Sequence, residues 1–240
     1  MIDRIAKGKL NVILLVDTST SMRGDRIDSV NSAINDVIAY LRELACDNTN
    51  YDFHLSLISF STDVSLFNNQ LSEDVNSINF QPLKAKGQSN LHLAYHKLNE
   101  LLTKESKGGM MPDFGGAAPI ILLLTDGHPS NEKLLKEEMA MLSQKGWFKV
   151  ALRYGIAIEL DDERTYKILK DFVRNNGDVI TSYNSNMLES IIKIVVMSAS
   201  KVKSQSTPVN YNANTAPISI HQEIKQLIAE NLDELSEGGW

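Results

Sequence analysis

Three features of the sequence predict an α/β fold with a mostly parallel central sheet and helices on both faces. The run Leu10-Asn11-Val12-Ile13-Leu14-Leu15-Val16 is apolar but for one Asn, which suits a strand buried on both sides. Strand-type and helix-type segments then alternate along the chain, the order that builds parallel sheets through crossover helices. The first strand also runs straight into Asp17, Ser19 and Ser21, and a later apolar strand ends in Thr125-Asp126-Gly127. Loops at the carboxyl ends of such strands are where open α/β sheets bind their ligands.

The elements follow in order. After the first loop, Ile27, Val30, Ile34, Val37, Ile38, Leu41 and Leu44 recur at three- and four-residue spacing, which defines one face of a helix over 25–44. Residues 53–60 alternate as a strand, 64–67 pair with it as a hairpin, and a loop leads to Ser89. A helix over 90–102 comes next. Four Gly and Pro112 within 106–118 interrupt regular structure before a strand at 119–125. A helix over 131–144, a strand over 150–158, a helix over 163–175, a short strand at 179–180 and a long helix over 186–202 complete the alternation.

Beyond residue 203 the composition changes. Residues 204–221 read as a linker, rich at first in Ser, Asn, Thr and Pro. In the last segment, 222–240, Ile224, Leu227, Ile228, Leu232 and Leu235 fall at helical spacing, and Glu223, Glu230, Asp233, Glu234 and Glu237 outweigh Lys225. This is an acidic amphipathic segment. Packing back onto the main domain (8–203), docking into a partner's groove, and disorder are all open to it.

Composition narrows the function classes. At 240 residues and 42% hydrophobic content the chain has ample material for a buried core. No apolar run is long enough to cross a bilayer, and the first nine residues lack the apolar stretch of a signal peptide. Cys46 is the sole cysteine, so no internal disulfide forms, and residence in the cytoplasm is expected. A net charge of −6 with scattered Lys84, Lys86, Lys104 and Lys107 argues against a nucleic-acid surface. Nucleotide-binding glycine motifs are missing from the sequence.

The oxygen-bearing loops point to a cation. Asp17, Ser19 and Ser21 stand at alternate positions of one tight loop, and Ser89 and Asp126 supply two further hard oxygen donors. Carboxylate with hydroxyl suits Mg²⁺ or Mn²⁺, whereas zinc, copper or iron would favour imidazole and thiolate. At these residues the sequence resembles the von Willebrand factor A (VWA) family, over roughly residues 8–203. In that family a metal-ion-dependent adhesion site combines a D-x-S-x-S loop, a Thr on a second loop and an Asp ending a later strand as T-D-G. The matching residues are Asp17, Ser19, Ser21, Ser89 and Asp126. Ser89 departs from the pattern by lacking the methyl of Thr, so its rotamer is held less firmly. The resemblance implies a three-layer, Rossmann-like fold and a partner Asp or Glu that completes the metal coordination.

Within the family the sequence is most similar to bacterial TerY-like proteins of tellurium-resistance clusters. That resemblance lies in the stretch from Leu14 to Ile27, in Ser29-Val30-Asn31, in Leu83-Lys84-Ala85-Lys86-Gly87 and in Leu124-Thr125-Asp126-Gly127-His128-Pro129-Ser130. It implies work beside a protein kinase and a PP2C-type phosphatase. The function expected is a metal-dependent protein-interaction adaptor of a bacterial stress-response or phosphorylation system, without membrane or nucleic-acid partners. A VWA subunit recruiting substrates to an AAA+ ATPase is the alternative, with a metal-dependent hydrolase behind it. The loop Asp17-Thr18-Ser19-Thr20-Ser21 lacks the second acid of a D-x-D-x-T phosphatase, and the sequence has no G-x-S-x-G elbow and no supported Cys–His couple, so no enzyme is expected.

Simpler readings exist for each residue. Asp17 and Ser19 could cap the following helix, although this would leave Ser21 and Asp126 unexplained. His92 and His96 have a zinc-compatible i, i+4 spacing but no third ligand motif, and read as surface or half-buried histidines. His128 reads as a contact near the site rather than a ligand. Cys46 has no basic neighbour in sequence and reads as inert.

Overall fold

The computed structural model describes residues 7–47, 51–159, 162–175 and 177–205, with Gln226 and Glu230. Its strands are β1 (Gly8–Asp17), β2 (Tyr51–Phe60), β3 (Val64–Leu66), β4 (Glu73–Asp74), β5 (Ile120–Thr125), β6 (Leu152–Ile158) and β7 (Val179–Ser182). Its helices are α1 (Asp25–Asp47), α2 (Leu91–Leu101), α3 (Glu132–Leu142), α4 (Gly146–Val150), α5 (Glu163–Val173) and α6 (Ser185–Gln205). The sheet runs β3-β2-β1-β5-β6-β7, with the short β4 also on β2. All pairings among β2, β1, β5, β6 and β7 are parallel, while β3 and β4 lie antiparallel to β2. This is the expected α/β class.

The first strand shows why the sheet needs helices on both sides. Leu10, Val12, Leu14 and Val16 join a core with α1 and α6, and Ile13 and Leu15 join a second core with α2, α3 and α5. All six are fully buried, and each contributes roughly 1.5–3 kcal/mol of hydrophobic stabilisation relative to exposure. Helix starts are fixed by side-chain caps: Asn131 accepts from Leu134 N–H at 3.1 Å, Asp162 from Thr165 N–H at 2.7 Å and Asn184 from Met187 N–H at 2.8 Å.

Several boundaries differ from the sequence expectation. The helix expected over 131–144 is α3, which ends at Leu142, and a further short helix, α4, precedes β6. The strand expected from Val150 therefore begins at Leu152, because Lys149 and Ala151 N–H groups close helical bonds to Lys145 and Trp147 carbonyls. The loop toward Ser89 contains β4, and β7 reaches Ser182. Helix α6 continues to Gln205, two residues into the segment read as a linker. The amphipathic stripe beyond it lies outside the described residues; of that segment Gln226 and Glu230 are described, joined by a 2.9 Å hydrogen bond. No helix among the described residues is long and apolar enough to cross a membrane.

Strand order positions the site. From β1 the chain passes first to β2 on one side and later to β5 on the other. The carboxyl ends of β1 and β5 therefore flank a topological switch point, with Asp17 ending one strand and Asp126 directly following the other.

Candidate metal centre

The five residues singled out in the sequence converge at this switch point. Asp17 is fully buried; Oδ1 accepts from the Ser19 N–H at 2.8 Å, and Oδ2 accepts from Ser89 Oγ at 2.8 Å and Thr125 Oγ1 at 2.7 Å. Ser19 Oγ and Ser21 Oγ lie 3.0 Å apart, and Ser21 Oγ donates to Asp126 Oδ1 at 2.7 Å. Three separate loops thus form one continuous oxygen cluster. Asp17 does not cap α1, which starts eight residues later, and the Ser19 side chain makes no capping bond.

Main-chain bonds lace the three loops together. Thr18 N–H donates to the Phe60 carbonyl at 2.8 Å, Lys86 N–H to the Thr18 carbonyl at 2.7 Å and Thr20 N–H to the Gly87 carbonyl at 2.9 Å, while Ser130 N–H reaches the Ser89 carbonyl at 2.8 Å. Gly87 has a φ of +81°, and a Cβ there would lie 2.3 Å from Thr62 Oγ1. Only glycine takes that conformation without strain. Gly87→Val should therefore lower the melting temperature by a few degrees and weaken metal binding about tenfold by displacing Ser89. Thermal melts with calorimetric titration check this, and an unchanged affinity would show that the loop does not set the position of Ser89.

Electrostatics sharpen the picture. Burial pushes the Asp17 carboxyl above its ordinary value, and the hydrogen bonds from Thr125, Ser19 and Ser89 only partly oppose this. Among the described residues Asp17 has no salt-bridge partner. A buried carboxylate served only by neutral donors lacks a compensating positive charge. The donor set has the right chemistry for one, since two carboxylates and three hydroxyls are hard oxygen ligands suited to Mg²⁺ or Mn²⁺. Among the described residues, no group of three or more His, Cys, Asp or Glu side chains could hold a metal ion, so the serines are indispensable to any such site.

Neighbouring residues take other roles. His128 turns away from the cluster: Nδ1 lies 3.1 Å from Thr165 Oγ1 and Nε2 3.5 Å from Asp162 Oδ2, tying the loop after β5 to the start of α5. His96 pairs with Glu138 at 3.1 Å and joins α2 to α3, while His92 is half-buried. Cys46 is exposed. Three participants escaped the sequence reading. Thr125 was visible as the first residue of T-D-G but not as a donor to Asp17. Arg26 donates to Asp126 Oδ2 at 2.7 Å and to Glu159 Oε2 at 3.2 Å. Its neighbour Glu159 follows β6 at the same edge of the sheet, and that strand end was its only sequence signal.

An α/β sheet with a hydroxyl-rich oxygen cluster at its switch point defines a class, and the family comparison agrees with it. The model of the von Willebrand factor type A domain matches residues 11–194, and the chain belongs to this family. No protein among the curated sequences matches. Solved structures share the fold at low identity. A von Willebrand factor type A protein from Catenulispora acidiphila superposes with a TM-score of 0.58 at 14% identity, over 81% of this chain and 43% of that one. The ArnB paralog VWA2 from Sulfolobus acidocaldarius gives 0.53 at 18%, over 79% and 45%. Proximal thread matrix protein 1 from the mussel byssus, described with a zinc-occupied MIDAS motif, gives 0.57 at 17%, over 81% and 48%. The chain spans less than half the length of these structures.

Proposed function

We propose that this chain is a divalent-metal-dependent protein-interaction module, in which Asp17, Ser19, Ser21, Ser89 and Asp126 hold Mg²⁺ or Mn²⁺ and a partner's Asp or Glu completes the coordination. The observation that carries the reading is the convergence of these five side chains around a buried Asp17 with no ion-pair partner among the described residues. A cation held by two carboxylates and neutral hydroxyls stays electron-poor and attracts one more anionic oxygen. Zinc occupies the motif of the mussel protein by its description; here the absence of thiolate and imidazole from the five donors favours the harder ions.

The setting proposed is a bacterial, cytoplasmic stress-response or phosphorylation system of TerY-like type, with a protein kinase and a PP2C-type phosphatase as candidate partners. This rests on the sequence resemblance from Leu14 to Ile27 and around Asp126. The module acts as an adaptor rather than an enzyme. Hydrolysis at such a site would draw on a general base or nucleophile beside the metal, and the carboxylates of the cluster are engaged: Asp17 by hydroxyls and a backbone N–H, Asp126 by Ser21 and Arg26.

The test pairs binding with turnover. Immobilised protein should retain the kinase or phosphatase in Mg²⁺, release it in EDTA, and fail to retain it once Asp126→Ala is introduced. Equal retention in all three conditions would sink the metal-bridge reading. The purified protein with Mg²⁺ or Mn²⁺ should leave p-nitrophenyl phosphate and nucleoside triphosphates intact; hydrolysis that disappears in Asp126→Ala would make it an enzyme instead.

A further inference from the structure

We propose that Arg26 is a built-in competitor of the divalent cation for Asp126, and that Glu159 is the seat onto which Arg26 is drawn when the metal binds. The inference rests on the metal reading above and concerns what sets its threshold. Asp126 is completely enclosed at its side chain, and both oxygens are engaged: Oδ1 by Ser21 Oγ and Oδ2 by the Arg26 guanidinium, each at 2.7 Å. The two inner carboxylates are therefore unequal. Asp17 faces neutral donors only, whereas Asp126 is already neutralised by a full positive charge. A divalent ion placed against Asp126 meets that charge at close range in a site partly screened from water, where repulsion is strong.

The position of Arg26 has no explanation in helix stability. It is the second residue of α1, in the first turn, where the helix dipole disfavours a cation. Its same guanidinium also contacts the Ser21 carbonyl at 3.3 Å, so it bridges the serine loop, Asp126 and Glu159. On the far side Glu159 stands ready to receive it. Glu159 is a non-glycine residue at φ +48°, held there while its N–H donates to the Ser182 carbonyl at 2.8 Å. Strained backbone of this kind persists where the surroundings over-determine it, and such residues gather at functional sites. With side chains about one-third exposed, Arg26 at 30% and Glu159 at 33%, the pair can shift against each other without new burial. Metal loading and Arg26 release are then two sides of one equilibrium, and the partner's carboxylate meets a fully formed cation only after the exchange.

The two residues make opposite predictions. In Mg²⁺ calorimetry Arg26→Gln should bind about tenfold tighter than the wild type, and Glu159→Gln about tenfold weaker, because Arg26 is left with Asp126 alone. In EDTA, Arg26→Gln should melt at a lower temperature, since Asp126 loses its ion-pair partner, yet it should show the larger rise on adding Mg²⁺. A general structural role would lower affinity in both variants. Unchanged or weaker binding by Arg26→Gln, with wild-type binding intact, overturns the competitor role and leaves the metal reading standing. Binding by Arg26→Gln where the wild type shows none supports it in its strongest form. Failure of both proteins to bind Mg²⁺ or Mn²⁺ overturns the metal reading and this inference together.

Discussion

Replacing Asp17 by Asn should weaken Mg²⁺ and Mn²⁺ binding by at least about 100-fold, or roughly 2.7 kcal/mol, while raising the melting temperature of the metal-free protein. Asn keeps the shape: its Oδ1 still accepts from the Ser19 N–H, and its amide can donate to the Ser89 and Thr125 hydroxyls, which rotate to accept. What disappears is the anionic oxygen without which hydroxyls hold a hard cation poorly. The stability gain follows from the sign of the Asp17 shift. Its folded-state pKa is raised by burial, so its favourable contribution is fully present below the unfolded value near 3.8 and is lost as pH rises through the folded value. In EDTA the advantage of Asp17→Asn should therefore grow as pH rises from about 4 toward neutrality, and Mg²⁺ should reverse it in favour of the wild type. Melting curves across pH with and without Mg²⁺ test both halves. Affinity within threefold of wild type would remove Asp17 from the site.

Much of this centre was legible because its signals are local. A strand buried on both faces is largely apolar, so the polar residues that follow such a run mark the ligand-bearing edge of the sheet. Asp17 and Asp126 both follow such runs, and the serine spacing is carried on one loop. The alternation of elements likewise fixed the class of fold. Helix and strand boundaries near 142–152 were less legible, because Trp147 and Phe148 carry apolar character that a strand and a one-turn helix use equally; Phe148 is buried in the same core either way.

Arg26, Glu159 and Thr125 were harder to see for a different reason. Their roles depend on contacts 100, 133 and 108 residues apart in sequence, and a charged residue in a helix's first turn or after a strand normally reads as solvated surface. Arg153 shows the same limit within a strand. Flanked by Leu152 and Tyr154, it looks like the solvent-facing residue of an alternating pattern, yet it is 3% exposed. The sheet is covered on both faces here, and every residue of β6 after Leu152 is buried.

That buried guanidinium makes the second large prediction. Arg153 donates from Nε to the Phe172 carbonyl and from Nη2 to the Val173 carbonyl, both at 3.0 Å, and from Nη1 to the Phe148 carbonyl, while its Cζ lies 4.2 Å from the centre of the Phe148 ring. Phe172 and Val173 are the last residues of α5, so Arg153 satisfies carbonyls that helix geometry leaves orphaned and places its charge at the favourable pole of the helix dipole. Burial lowers its pKa to about 10, which still leaves it charged at neutral pH. Arg153→Met fills a similar volume and keeps a sulfur near the ring, but it strands three carbonyls at about 1–3 kcal/mol each. Removing a buried charge returns part of that cost through desolvation. The carbonyl losses should prevail by about 3 kcal/mol, a fall in melting temperature on the order of 10 °C for a chain of this size. Mg²⁺ affinity should stay within about twofold of wild type, since Arg153 lies near the amino end of β6 and Glu159 follows its carboxyl end, roughly 20 Å away at the usual rise per residue. A melting temperature unchanged to within about 2 °C would mean that the desolvation gain equals the three lost bonds, and that Arg153 fixes the end of α5 without stabilising the fold.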